Sequence, residues 1–254
     1  MNLRKLSLVM DKFYKLASAY TALDMKQDWN QYAEEDPYYY CLRDPSKKGK
    51  WTEDEFYNSG VIHVKQLLKK GKELGLPKET KVALDFGCGP GRFAEVLAED
   101  FDKVIGVDVS DKMIDLAQER AEKKDINNIE YVVADNLSDI DDDSVDLIMS
   151  RLVLEHMPPE MIKECVKDFT RVLKKGGLAS FEIPFEEPKE YREKKDNIIE
   201  RGKEKDTPLT LIFSVPKDEI LNIIKDNDCK VLEPIDSGNI AGKNFEAIFY
   251  YITK

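Results

Sequence analysis

From Lys81 onward the chain alternates short apolar runs with amphipathic stretches, and that alternation narrows the fold more than any other feature. Val82-Ala83-Leu84, Val104-Ile105-Gly106-Val107, Ile129 to Ala134, Val145 to Met149 and Leu178 to Ile183 each have the length and apolar density of a buried strand. One helical pattern follows Gly91 and carries Phe93, Val96 and Leu97. A second opens at Ser110 and Asp111, with Met113, Leu116, Ala117 and Ala121 inward. A third follows Pro158-Pro159, puts Ile162, Cys165, Val166, Phe169, Val172 and Leu173 on one face, and is expected to stop at Gly176-Gly177. Strands separated by single helices pair in parallel, so the expected product is a doubly wound, Rossmann-like α/β sheet with helices on both faces. Pro216 is expected to open a further helix holding Ile220, Ile223 and Ile224. Lys230 to Ile235 and Phe245 to Ile252 are expected to form an antiparallel hairpin.

Residues 1–76 have a different texture. Leu3, Leu6, Met10, Phe13 and Ala17 fall at helical spacing. An aromatic segment with Trp29, Tyr32, Tyr38, Tyr39, Tyr40 and Trp51 is interrupted by Asp36-Pro37 and Asp44-Pro45-Ser46, which reads as loop-rich. Thr52, with Glu55 three positions on, has the form of a capping box and is expected to open a helix that runs to Leu74 and ends at Gly75. The expected organisation is an N-terminal helical, aromatic cap over residues 1–76 and a sheet domain over 77–254. The charged, aperiodic stretch 185–209 reads as an insertion or lid.

Net charge bears on partners. At −11 the chain offers no overall basic face for a phosphate backbone, so a small-molecule substrate is expected rather than nucleic acid. Cys41, Cys88, Cys165 and Cys229 form no CxxC pair, and only His63 and His156 are available to join them, so no metal site is expected. Asp141-Asp142-Asp143 reads as a solvated loop and His63 as a surface or packing residue. Four reduced thiols, and no apolar run long enough for a signal or a membrane span, point to the cytoplasm.

The strongest chemical signal is Leu84-Asp85-Phe86-Gly87-Cys88-Gly89-Pro90-Gly91, at the carboxyl end of the first strand. Glycines there let a ligand approach the backbone closely, and the next helix presents free N–H groups. A dinucleotide site calls for G-x-G-x-x-G, whereas the spacing here is G-x-G-x-G with Arg92 in the sixth position. Asp85, two positions before the first glycine, would repel a pyrophosphate and attract an ammonium group. Asp108 ends the second strand, where an acid can accept both hydroxyls of a ribose. Asp135 ends the third strand in Val133-Ala134-Asp135-Asn136, within reach of an adenine amino group.

These motifs, with Leu173-Lys174-Lys175-Gly176-Gly177-Leu178, resemble those of class I S-adenosylmethionine-dependent methyltransferases, in particular the methyltransferase type 11 group. The resemblance covers about Lys81 to Ile183. It implies a seven-stranded sheet whose last strand is antiparallel and a cofactor, S-adenosylmethionine, at the carboxyl ends of the strands. It further implies that Asp85, Gly87, Cys88, Gly89 and Gly91 flank the methionine part and that Asp108, with Val109 beside it, holds the ribose. Asp135 and Asn136 would read the adenine, Met113 would pack on its ring, and the backbone at Arg151 would touch the methionine end.

His156, in Ser150-Arg151-Leu152-Val153-Leu154-Glu155-His156-Met157, follows the fourth strand on the cofactor side. It is the candidate catalytic residue, a general base whose ordinary titration lies near neutrality; the alternative is that it only orients its loop. Two rival functions remain open. One is an NAD(P)-dependent oxidoreductase, against which Asp85 and Arg92 argue. The other is a non-catalytic module that binds S-adenosylmethionine, which would use the same pocket.

Overall fold

The computed structural model describes residues 20–184, 212–237 and 247–254. Seven strands form one sheet: β1 (Val82–Phe86), β2 (Lys103–Asp108), β3 (Ile129–Val133), β4 (Val145–Ser150), β5 (Leu173–Pro184), β6 (Lys230–Ser237) and β7 (Ala247–Thr253). Their order is β3-β2-β1-β4-β5-β7-β6. The first five are mutually parallel, and β7 runs antiparallel between β5 and β6. The chain direction in the sheet reverses between β1 and β4, and the carboxyl ends of these strands therefore flank a crevice.

Seven α-helices accompany the sheet among the described residues: α1 (Ala22–Glu35), α2 (Pro37–Leu42), α3 (Glu53–Leu74), α4 (Ala94–Leu97), α5 (Asp111–Lys123), α6 (Pro159–Val172) and α7 (Lys217–Asp226). Successive side chains of a strand point to opposite faces, and the two cores follow that alternation. Leu84, Phe86 and Ile148 point to the face covered by Ile162, Val166 and Phe169 of α6 and Ile220 and Ile224 of α7. Ala83, Leu147 and Met149 point to the other, covered by Val64 and Leu67 of α3 and Val96 and Leu97 of α4. Each of these large apolar side chains contributes about 1.5–3 kcal/mol on burial.

Helix α3 begins and ends where its sequence requires. The Thr52 hydroxyl accepts the Glu55 N–H, the Glu55 carboxylate accepts the Thr52 N–H, and Gly75 closes the helix at φ 66°. Within the segment expected to act as a cap, α1 and α2 overlie the cleft, whereas α3 belongs to the sheet's own core.

Three local readings differ from the expectations. The aromatic segment is helical, because Thr21 and Asp24 form a capping box for α1 and Asp36 both ends α1 and caps α2, with Pro37 in the first turn of α2. Asp36-Pro37 is thus a junction between helices, where proline is tolerated because its missing N–H has no helical partner to lose. Helix α6 stops at Val172, before the glycines, because Leu173 already pairs with Val145; Gly176 then turns at φ 78° inside a register shift. The helix after Gly91 is a single turn. The readings at Leu3 to Ala17 and over 185–209 lie outside the described residues.

Candidate functional site

Beyond Phe86 the chain turns through the three glycines. Gly87 has φ 73°, and a Cβ there would lie 2.3 Å from Val153, so only glycine fits. The N–H groups of Gly87 and Cys88 both donate to the Val107 carbonyl, at 2.7 and 3.0 Å, which lashes the turn to β2. Asp108 braces the same turn: one carboxylate oxygen accepts the Gly89 N–H at 2.8 Å and the other the Ser110 N–H at 2.9 Å. Burial lifts this carboxyl to about 6. Asp85 lies beneath the turn, almost fully buried, and accepts the Ala94 N–H at 3.0 Å; burial lifts it to about 7. From above, α3 presses on the turn at Gly60, where a Cβ would lie 2.6 Å from the Arg92 carbonyl oxygen. The Tyr57 hydroxyl donates to the Pro90 carbonyl at 2.7 Å.

Over these strand ends opens a cleft enclosing about 770 Å³. Gly87, Cys88, Gly89, Asp108, Val109, Asp135, Arg151 and His156 all line it. Its roof includes Met25 and Trp29 of α1 and Phe56 of α3. The roof is tied down by Asn30, which accepts the Ser110 hydroxyl and donates to Asp111, each at 2.7 Å. Four further residues singled out in the sequence do not line the cleft. Asp85 braces α4. Gly91, at φ 87°, lies against Tyr131, whose hydroxyl oxygen would stand 2.5 Å from a Cβ. Met113 is fully buried against Tyr32, Ala33 and Tyr40 of the roof. Asn136 is exposed and donates to the Asp135 carboxylate at 2.7 Å.

The β4–β5 side of the cleft carries charges that sequence spacing did not bring together. Glu182, wholly buried on β5, accepts the Leu152 N–H at 2.8 Å and stands 3.3 Å from an Arg151 guanidinium nitrogen. Its burial raises its pKa above the ordinary carboxylate range. It thereby holds Leu152 at φ 60°, a backbone conformation that costs a branched residue energy. Arg151 also lies over the Phe249 ring and donates to His63 Nδ1 at 3.2 Å. A guanidinium is always a donor, so His63 Nδ1 accepts and the ring is neutral. Burial, and then the Arg151 charge, push His63 down to about 4. Arg92 reaches this side from the turn, with a nitrogen 3.1 Å from the Ser59 hydroxyl and its guanidinium over the Phe93 ring. His63 and Arg92 were not among the expected site residues. The available signal was an acid within the apolar run Leu178 to Ile183, since a buried charge implies a partner.

His156 ends the 3₁₀ turn Leu154–His156 and is buried. Its ring stands edge-on to Trp29 at 5.4 Å, and Nε2 is 3.9 Å from a Glu155 carboxylate oxygen.

Residues 83–177 match the family model described as methyltransferase domain. The chain carries a class I S-adenosylmethionine-dependent methyltransferase domain. This methyltransferase domain is 38% identical over 104 residues to the ubiquinone biosynthesis O-methyltransferase of Coxiella burnetii, covering 40% of this chain and 42% of the relative. It is 28% identical over 128 residues to the uncharacterized methyltransferase YcgJ of Bacillus subtilis, covering 47% and 49%. The chain therefore spans less than half the length of these curated relatives. The same fold occurs in the magnesium protoporphyrin IX methyltransferase of Synechocystis, a structure with bound S-adenosylhomocysteine, at 16% identity and a TM-score of 0.63 over 92% of this chain and 99% of that one.

Proposed function

We propose that this methyltransferase domain moves the methyl group of S-adenosylmethionine to a small-molecule acceptor entering under α1 and α3. The observation that carries this reading is Asp108, whose carboxylate lines the cleft at the end of β2 while bracing the glycine turn. Each of its oxygens accepts one backbone N–H and keeps acceptor capacity for a ribose hydroxyl. Asp135 stands on the adjoining strand end for an adenine amino group. The net charge of −11, and the small molecules in the names of the ubiquinone and protoporphyrin relatives, support a small acceptor. An NAD(P) enzyme fits less well: Arg92 replaces the third glycine of the dinucleotide turn, and α3 presses on the turn there.

S-adenosylmethionine supplies an activated methyl group on a sulfonium, displaced in line by the acceptor's lone pair while the sulfur keeps the bonding pair. The residues of the chain then have three tasks. The glycine turn and Asp108 hold the nucleoside. The walls at Leu152, Val153 and Trp29 align the acceptor and exclude water. His156 takes the proton of an acceptor O–H or N–H as the methyl arrives.

Calorimetric titration tests the reading. S-adenosylhomocysteine is expected to bind and NAD is not. Methyl transfer to a panel of small hydroxyl and amino compounds then separates an enzyme from a non-catalytic binding module. His156→Ala is expected to lower turnover by about 10²–10⁴ with cofactor affinity unchanged. The opposite pattern, weaker binding with turnover intact, makes His156 a purely structural residue.

A further inference from the structure

The cleft is electrically lopsided. Asp108 and Asp135 occupy its β2–β3 half, whereas Arg92 and Arg151 stand on the other side of β1. Arg151 has a counterion in Glu182 at 3.3 Å. Arg92 has none: it forms no ion pair within 4 Å among the described residues, and the Ser59 hydroxyl is the one hydrogen-bond acceptor it meets. Yet Arg92 is only 5% exposed, and it lines the cleft. Two aromatic faces, Phe93 at 4.1 Å and Phe56 at 5.6 Å, flank its guanidinium. Of the nearby acids, Asp85 is committed to the Ala94 N–H and Glu182 to Leu152 and Arg151.

A buried cation without a counterion is costly, and the cost is recovered when an anion arrives. Here desolvation pulls Arg92 down to about 10, the direction expected of a guanidinium short of negative partners. A planar fork with free N–H groups matches a carboxylate, which it binds through two parallel hydrogen bonds.

We propose that Arg92, with Arg151 beside it, forms a seat for a carboxylate at the β4 side of the cleft. The inference rests on the methyltransferase reading for its two candidate sources: the amino-acid carboxylate of the cofactor, or an acid group on the acceptor. Both present the same chemistry to the same guanidinium. Apolar walls from Phe56 and Phe93 around the seat favour an acid joined to an apolar or aromatic body.

Full-length protein and Arg92→Gln are titrated with S-adenosylhomocysteine and with methylthioadenosine, which has the same nucleoside and no carboxylate. If the cofactor's acid fills the seat, the substitution weakens S-adenosylhomocysteine by about ten- to a hundredfold and leaves methylthioadenosine unchanged. If the acceptor's acid fills it, neither nucleoside changes; benzoate then binds the S-adenosylhomocysteine-loaded protein, and Arg92→Gln abolishes that binding. Unaltered binding of all three probes overturns the seat. Should Arg92→Gln fail to fold, the unmutated protein decides. Preference for benzoate over benzamide, or for S-adenosylhomocysteine over its carboxamide, supports the seat; indifference in both pairs overturns it. Absence of any nucleoside binding would sink the methyltransferase reading instead, and benzoate against benzamide on the same protein still decides the seat.

Discussion

The two halves of the cleft are built in different ways. The β2–β3 half comes from strand ends close in sequence, and its acid Asp108 bonds to backbone N–H groups a few residues along or one strand away. The β4–β5 half is assembled from distant segments: His63 on α3, Arg92 after the turn, Arg151 after β4 and Glu182 on β5. The first half needs only local chain geometry. The second exists because parallel β4 and β5 lie side by side and α3 crosses above them. A cofactor half written into one contiguous stretch can be kept while the facing half changes its ligand.

Gly87 joins the halves, since Val153 of the β4 side rests on it. Gly87→Ala should cost on the order of 2–5 kcal/mol, from a left-handed backbone now bearing a Cβ and a clash with Val153. Chemical denaturation measures it. Nucleoside affinity should fall in the same variant, and a neutral substitution would show the halves to be separable.

Asp108→Ala confines the damage to the acidic half. Losing charge-assisted hydrogen bonds of about 1.5–3 kcal/mol each should weaken S-adenosylhomocysteine at least about tenfold, with benzoate binding unaffected. An unchanged dissociation constant for the nucleoside would place the ribose elsewhere.

Asp85 sharpens the comparison through pH. Its carboxyl titrates at about 7 in the folded protein and near 3.9 unfolded, so the folded state holds the proton more tightly. Its contribution to stability is therefore largest below about pH 4 and falls as pH rises to about 7, at about 1.4 kcal/mol per pH unit. Asp108, at about 6, shares the lower part of that window. Asp85→Asn should flatten the fall between pH 6 and 7, which urea unfolding at the two values reads directly. A slope that persists in full assigns it to another group.

The smallest expected effect is at the roof. Asn30→Ala removes two hydrogen bonds to Ser110 and Asp111, about 1 kcal/mol in all, and should raise the nucleoside dissociation constant a few-fold. No change would mean that the roof is held by its apolar contacts alone.

The same contrast explains what was legible in the sequence. The strands, the glycine turn and Asp108 could be read because their signals are periodic or contiguous. Helix α3 was legible from Thr52, Glu55 and Gly75. Helices α1 and α2 were obscured by Asp36-Pro37, which looks like a break and is a shared cap. The partnership of Arg151 with Glu182 and His63 could not be read, because residue spacing does not report which strands become neighbours. Asp85 shows a further limit: its position in the motif was clear, but whether its carboxylate faces a ligand or a helix start depends on the path of the chain after Gly91.

The contact between Trp29 and His156 carries an optical consequence. The chain has two tryptophans, Trp29 and Trp51, and Trp29 is the one that lines the cleft. Its indole stands 5.4 Å from the imidazole, close enough for ring protonation to quench its emission. Occupancy of the cleft and the charge on His156 thus both register in the fluorescence of one natural side chain, so each can be followed in the unlabelled protein.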